Sequence, residues 1–382
     1  MHIITGLDVG GAEMMLLKLL SASSSDGQSM VVSLKDEGAI GPAITRLGVP
    51  VECLRLHHSA PNPAKLFSLR ALMKRFRPQV IQGWMPHGNL AASLAQFVSR
   101  IGAPVVWNIR MSLDAIDGEK LTTSGLIRLG GILSRLPSAI VYNSRSGARQ
   151  HEMRGYRNAR SAVISNGFDC DMFRPDEQAR CAIRSQFGLE RTAILIGLVA
   201  RHHPMKDPVG FLQAASLVSA QHPESRFLLV GKGLTESEPT LQKTIEQLDL
   251  KGQVLLLGER TDMPQLTTGL DIACSSSWGE GFSNAIGEAM ACAVPCVVTD
   301  VGDSGFLVGD TGMTVPPRNP EALAHAIEKL IAAGSARRKE LGLAARKRIE
   351  SEFSLSKMTR RYEDLYNECL TCPQYHQTVT SM

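Results

Sequence analysis

Short apolar, β-rich runs alternate with helical patterns along nearly the whole chain, and this alternation leaves few folds open. Residues 31–34, 80–82, 105–109, 139–142 and 162–164 read as strands, with helices over 12–20, 64–75, 89–99 and 144–153 between them. A turn-rich stretch, 165–175, follows, and then a second series with strands at 193–199, 226–230, 253–257, 271–274 and 295–299. A strand followed by a helix and another strand implies a right-handed crossover and a parallel sheet. With 382 residues, the chain can give each series its own core. The expected architecture is α/β, with two Rossmann-like domains facing a central cleft and ligands bound beyond the strands' C-terminal ends. The expected boundaries are 1–165 and 166–353. A last helix over 354–370 is expected to cross back to the first domain, and 371–382 to form a disordered polar tail.

Composition agrees with buried parallel sheets, since aliphatic residues and glycine dominate while aromatics make up 5%. No run of about 18 apolar residues appears, and the N-terminus lacks the pattern of a signal peptide, so a cytoplasmic or peripheral protein is expected. Met1 leaves few residues before Gly6, so the opening strand reads as curtailed by a late start or a shortened chain. The eight cysteines are scattered, several within apolar runs, and read as reduced core residues. Cys369 and Cys372 form one C-x-x-C with no second pair and no histidine at ligand spacing, which argues against zinc.

The net charge of +4 is unevenly divided. Residues 1–170 hold 19 Lys and Arg against 11 Asp and Glu, whereas the remainder holds 22 against 26. Within the basic half, 65–77 mixes cations and apolar residues at helical spacing. Such a helix either rests on an anionic membrane surface or turns its apolar stripe into the core. Nucleic acid is not expected as a partner, because no zinc-finger spacing or aromatic RNA-binding signature accompanies the charge.

Three segments carry chemistry. In Gly279-Glu280-Gly281-Phe282-Ser283-Asn284-Ala285-Ile286-Gly287-Glu288, two glutamates flank an expected loop-to-helix junction, where glycine and small polar residues at 279–284 let backbone N–H groups approach a phosphate at a positive helix end. Taken alone, the pattern equally describes a solvated glutamate beside a helix cap. Arg201 and Lys206 lie five positions apart in a proline-bearing loop after a strand, where two cations would offset charge developing on a diphosphate; exposed loop cations are also common. Gly10-Gly11 sits between a short strand and a helix without the G-x-G-x-x-G spacing, which argues against a nicotinamide dinucleotide. Asp169 and Asp171 lie in the linker, so no carboxylate pair is expected to clamp a metal.

In order and spacing, these segments together with 164–169, 288–292, Pro295 and 312–317 resemble the retaining glycosyltransferases of the GT-B fold, glycosyltransferase family 4. The resemblance implies that Glu280 lies near the donor sugar hydroxyls and Glu288 on the ribose. It assigns Arg201 and Lys206 to the diphosphate, the backbone of Phe282, Ser283 and Asn284 to phosphate, and Gly10 and Gly11 to the border of diphosphate and acceptor. It implies a nucleotide-sugar donor, a UDP-sugar, a glycan or polyprenyl-linked acceptor as in cell-surface polysaccharide synthesis, and neither cofactor nor metal. The chain departs from the family's pattern in places. Arg110 stands where many members have histidine, leaving Arg110 or His87 for sugar or acceptor positioning. Ala293 and Lys232 replace a frequent glycine and a frequent acidic residue. A UDP-sugar epimerase of the same fold and a noncatalytic sugar-nucleotide-binding subunit are the rival readings.

Overall fold

The computed structural model describes residues 1–23, 28–56, 63–114, 121–190 and 192–371. The chain divides into two units: Met1–Gly167 with the segment from Leu355 onward, and Phe168–Ser354. The first unit runs β1 (His2–Ile4), α1 (Gly11–Ala22), β2 (Val31–Ser33), α2 (Gly41–Arg46), β3 (Val51–Cys53), α3 (Pro63–Phe76), β4 (Ile81–Trp84), α4 (Met85–Ser99), β5 (Val105–Ile109), α5 (Leu121–Leu133), β6 (Ala139–Tyr142), α6 (Arg145–Met153) and β7 (Ser161–Val163). Its seven strands lie in the order β3-β2-β1-β4-β5-β6-β7, and every pair is parallel.

Consecutive residues of these strands enter opposite cores, as the two-residue period of a strand requires. Ile3, Val32, Ile81, Trp107 and Ile140 pack with Leu69, Leu72 and Met73 of α3. Ile4, Val31, Trp84, Val106 and Val141 pack with Met15, Leu16 and Leu19 of α1, and with Met358, Tyr362 and Leu365 of the C-terminal helix Leu355–Thr371. The segment 65–77 therefore does not offer its apolar stripe to lipid. Leu69, Leu72 and Met73 are buried, and what faces outward is Phe67, Arg70, Lys74, Arg75 and Arg77.

The second unit contains α7 (Glu177–Gln186), β8 (Ile194–Val199), a 3-10 turn (Pro204–Lys206), α8 (Pro208–Gln221), β9 (Ser225–Val230), α9 (Pro239–Gln247), β10 (Val254–Leu256), α10 (Met263–Thr268), β11 (Ile272–Ser275), α11 (Asn284–Ala291), β12 (Cys296–Thr299), α12 (Ser304–Val308), β13 (Met313–Val315), α13 (Pro320–Ala332) and α14 (Gly334–Glu352). The six parallel strands lie in the order β10-β9-β8-β11-β12-β13. At the foot of β11 the carboxylate of Asp271 accepts from Arg180 at 2.5 Å, Arg184 at 2.8 Å and the Leu195 N–H at 2.9 Å, tying α7 to two central strands.

The chain passes between the units at 167/168 and returns at 354/355. The first crossing lies two residues later than expected, because Asn166 accepts from Arg110 and Gly167 lies against Leu355 and Met358, all within the first unit. The Asp169 carboxylate accepts from the N–H groups of Asp171 and Met172 at 3.0 and 2.9 Å, closing a turn in the linker. Cys53, Cys170, Cys181, Cys274, Cys292, Cys296 and Cys369 are free thiols, and burial pushes Cys292 up to about 12. Cys372 and the rest of the expected tail lie outside the described residues. Among those residues, no helix is long and apolar enough to cross a membrane.

On the buried face of α6, His151 is 1% exposed, its Nδ1 lies 2.8 Å from the Gly147 carbonyl, and its ring meets Tyr156 edge-on. Burial lowers its pKa from 6.5 to about 4, so the unfolded chain takes up the proton first as pH falls. The His151 contribution is complete above pH 6.5, declines as pH drops toward 4, and levels off below that. Urea unfolding of the protein should lose up to about 3 kcal/mol over this window relative to His151→Gln, whose profile should be flatter.

Candidate active site

In the second sheet, the direction of strand addition reverses between β8 and β11, which pair directly through Gly197 and Ala273. Loops leaving the C-terminal ends of two such strands diverge and open a crevice. The loop after β8 carries Arg201 and Lys206, and the loop after β11 carries Glu280.

The second loop grips the first. Ser276 Oγ donates to the Lys206 and Asp207 carbonyls, both at 2.9 Å. The Trp278 N–H donates to the Met205 carbonyl at 2.9 Å, and its indole N–H to the Pro204 carbonyl at 2.8 Å. Arg318 lies over the same indole, 4.5 Å from the ring centroid. Asp207 adopts a left-handed conformation and caps α8 by accepting from the Gly210 N–H at 3.0 Å. These bonds bring the Lys206 ammonium onto the Glu280 carboxylate as an ion pair, with side chains 21% and 15% exposed. Arg201 is exposed and makes no hydrogen bond or ion pair among the described residues. Its loop is held through the backbone, where the His202 N–H donates to the Lys232 carbonyl at 2.7 Å. Lys232 thus contributes its main chain to the site's frame.

The Glu280 loop is backed by the turn after β12. Gly302 has φ +60, and a Cβ there would lie 2.0 Å from the Glu280 carbonyl oxygen. Only glycine allows that approach. Beside it, the Asp303 N–H donates to the Gly281 carbonyl at 3.0 Å, and Thr299 Oγ1 donates to the Ser277 carbonyl at 2.5 Å. Phe282 is 4% exposed, stacks on Phe168 and meets Phe353 at a tilt, so its ring belongs to the core while its main chain runs to the helix start. Ser283 Oγ accepts from the Ile286 N–H at 3.5 Å and caps α11. On that helix Asn284, Ala285 and Glu288 are half-buried and every other residue is buried. Asn284 and Glu288, four apart, share that open face.

Gly10, Gly11, His87 and Arg110 belong to the first unit. The reversal there falls between β1 and β4. Gly10 caps α1 in an extended conformation, and Gly11 is exposed. Nearby, burial raises the pKa of Glu13. His87 is exposed in the first turn of α4, directly after β4. Arg110 is engaged within its own unit: it donates to Tyr362 Oη at 3.1 Å and to Asn166 Oδ1, and lies over the Trp84 ring at 5.6 Å. A sugar would have to displace these partners. Burial pushes the Arg110 pKa down.

Ser276, Trp278, Thr299 and Gly302 are frame residues that the motifs did not reveal. Trp278, the one tryptophan of the second series and directly before Gly279, was the available signal. Because the ion pair is mostly removed from water, losing Lys206 alone leaves a poorly solvated carboxylate. Lys206→Met and Glu280→Gln should therefore couple by about 1–2 kcal/mol in a double-mutant cycle read by urea unfolding. Gly302→Ala should destabilise by about 1–3 kcal/mol in the same measurement, through the left-handed backbone and the clash with Glu280.

Both halves of the chain are similar to known proteins. Residues 10–167 match the Glycosyl transferase 4-like domain, and residues 193–333 match Glycosyl transferases group 1, which together take in most of the chain. An Escherichia coli protein named UDP-Gal:alpha-D-GlcNAc-diphosphoundecaprenol alpha-1,3-galactosyltransferase is 27% identical over 212 residues, covering 54% of this chain and 53% of that protein. A D-inositol 3-phosphate glycosyltransferase of Rhodococcus erythropolis is 31% identical over 193 residues, covering 48% of this chain and 43% of that protein. The chain thus spans about half the length of the curated relatives it matches. Anabaena Alr3699/HepE, solved with UDP and glucose, superposes with a TM-score of 0.82 at 21% identity, covering 96% of this chain and 99% of that one. WaaG, a glycosyltransferase involved in lipopolysaccharide biosynthesis, superposes with a TM-score of 0.73 at 12% identity, covering 96% and 99%. With both halves matched in order and the fold shared along its length, the chain belongs to the group 1, family 4 type glycosyltransferases of the GT-B fold.

Proposed function

We propose that the protein is a retaining glycosyltransferase that moves a sugar from a UDP-sugar to a hydroxyl of a glycan or lipid-linked glycan, as in cell-surface polysaccharide synthesis. The observation that carries this reading is the Lys206–Glu280 pair at the switch point of the second sheet, beside the exposed Arg201. Support for uridine comes from the UDP donor in the name of the Escherichia coli relative and from the UDP-glucose complex of Alr3699/HepE. The undecaprenyl diphosphate in the same relative's name supports a lipid-linked acceptor.

In the structure the Lys206 charge is balanced by Glu280. An entering diphosphate competes for that ammonium and adds Arg201, whose guanidinium suits a bidentate contact with phosphate. Glu280, released from Lys206, accepts from donor sugar hydroxyls and orients the ring, and Glu288 takes the ribose. As the glycosidic bond breaks, negative charge grows on the diphosphate, where Arg201, Lys206 and the N-terminal end of α11 stabilise it. The acceptor hydroxyl attacks from the face the diphosphate leaves, through an oxocarbenium-like state, and a departing phosphate oxygen takes its proton. Glu280 serves to position the sugar and forms no bond to it. Two protein cations supply the charge stabilisation that a divalent ion would otherwise give, so no metal is assigned.

UDP and UDP-sugars should raise the melting temperature with a chelator present. Lys206→Ala, Arg201→Ala and Glu280→Gln should each cut turnover by about a hundredfold or more while the protein stays folded. Full turnover by the Glu280 or Arg201 variant with an identified acceptor would sink the assignment, and NMR showing an isomerised UDP-sugar formed without acceptor would favour an epimerase.

A further inference from the structure

The first unit carries a second concentration of charge, away from α3. Residues 128–160 contain seven arginines against one acidic residue, Glu152. The fold gathers much of this run onto one face. The end of α5 packs against the chain after α6: a Cβ on Gly131 would lie 2.9 Å from the Arg154 carbonyl oxygen, and one on Gly130 would strike the Tyr156 hydroxyl. Ser134 Oγ accepts from the Arg157 N–H at 2.8 Å, and the Asn158 amide donates to the Ser134 and Pro137 carbonyls at 3.0 and 2.7 Å. These contacts set residues 128–136 beside 149–157.

The side chains left outward on this face are of two kinds. Arg128, Arg135, Arg149, Arg154 and Arg157 are exposed, and no ion pair among the described residues involves them. Interleaved with them, Ile132, Leu136 and Met153 are 77%, 59% and 78% exposed. Arg128 and Ile132, and Arg149 and Met153, are each four apart on their helices and so project side by side. Arg160 donates to the Glu368 carbonyl instead. A groove of about 760 Å³ opens between the two elements, lined by Arg135, Glu152, Tyr156, Arg157 and Asn158.

We infer that this α5–α6 face docks on an anionic lipid bilayer, with Arg135 and Arg157 holding lipid phosphate and Ile132, Leu136 and Met153 entering the headgroup boundary. Charge complementarity selects the occupant. Guanidinium groups pair with phosphate in a fork, and apolar side chains among them gain only where a hydrocarbon layer lies beyond the phosphates. A nucleic acid backbone would engage the arginines and leave the three apolar side chains in water.

The test is co-sedimentation of the full chain with vesicles of phosphatidylcholine alone or with phosphatidylglycerol added, at low and high salt. The protein should bind only the anionic vesicles, and more weakly at high salt. Arg135→Glu with Arg157→Glu should weaken binding by about tenfold or more. Arg70→Glu with Lys74→Glu on α3 makes the same change in net charge and should leave binding within about twofold, if one face rather than overall charge is responsible. Ile132→Ser with Met153→Ser should weaken binding several-fold, and thermal melts should show all three variants folded. The inference is overturned if the protein ignores anionic vesicles at low salt or if the α3 pair loses as much as the α5–α6 pair. It is also overturned if the serine pair binds undiminished, which would assign the arginines to a soluble polyanion or nucleic acid, or if that pair instead breaks a dimer seen by light scattering. No donor or acceptor is present in this assay, so its outcome is independent of the transferase reading.

Discussion

An all-parallel sheet in which the order of strands reverses once is the constraint on which this molecule depends. Parallel neighbours need helical crossovers, so all the loops that leave strand ends in one direction collect at one edge of the sheet. At the reversal, between β8 and β11, consecutive crossovers go to opposite faces and the two loops part. Lys206 and Glu280, 74 residues apart in the chain, meet there because their strands are direct neighbours.

The crevice is rigid because its loops are bonded to one another. Ser276 and Trp278 hold the carbonyls of Pro204, Met205, Lys206 and Asp207, while Gly302 and Asp303 close on the main chain of Glu280 and Gly281. The cation and the carboxylate therefore hang from one hydrogen-bonded frame, which is what electrostatic stabilisation of a developing charge requires. In the structure the two neutralise each other, and Arg201 stands exposed. A dianionic diphosphate meets such a site with one cation available at once and a second after exchange of partners.

Much of the fold was legible in the sequence because its strands are runs of β-branched and aliphatic residues separated by helical patterns. The strands at 105–109 and 139–142 match what the sequence suggested to the residue. What escaped notice has specific causes. β3 (Val51-Glu52-Cys53) and β13 (Met313-Thr314-Val315) are short and carry a polar residue at the centre, so neither shows as an apolar run, and α5 carries Gly125, Gly130 and Gly131, which weaken a helical reading. In α3 the basic and apolar pattern was clear, but a stripe turned to the core and a stripe turned to lipid have the same spacing. Arg110 stood directly after β5, the right place for a ligand contact, yet Tyr362 and Asn166, which occupy its guanidinium, come from distant parts of the chain.

By itself the sequence determined the local matters: where strands and helices fall, the glycine-rich junction ahead of Glu288, and the presence of two cations after one strand. Those depend on short-range periodicity and backbone freedom, which neighbouring residues carry. Only the tertiary structure decided which carboxylate Lys206 pairs with, which face of α3 is buried, and that Arg135, Ile132, Met153 and Arg157 share one surface. Each of these joins residues through strand order and helix packing, and a linear pattern holds no record of that order.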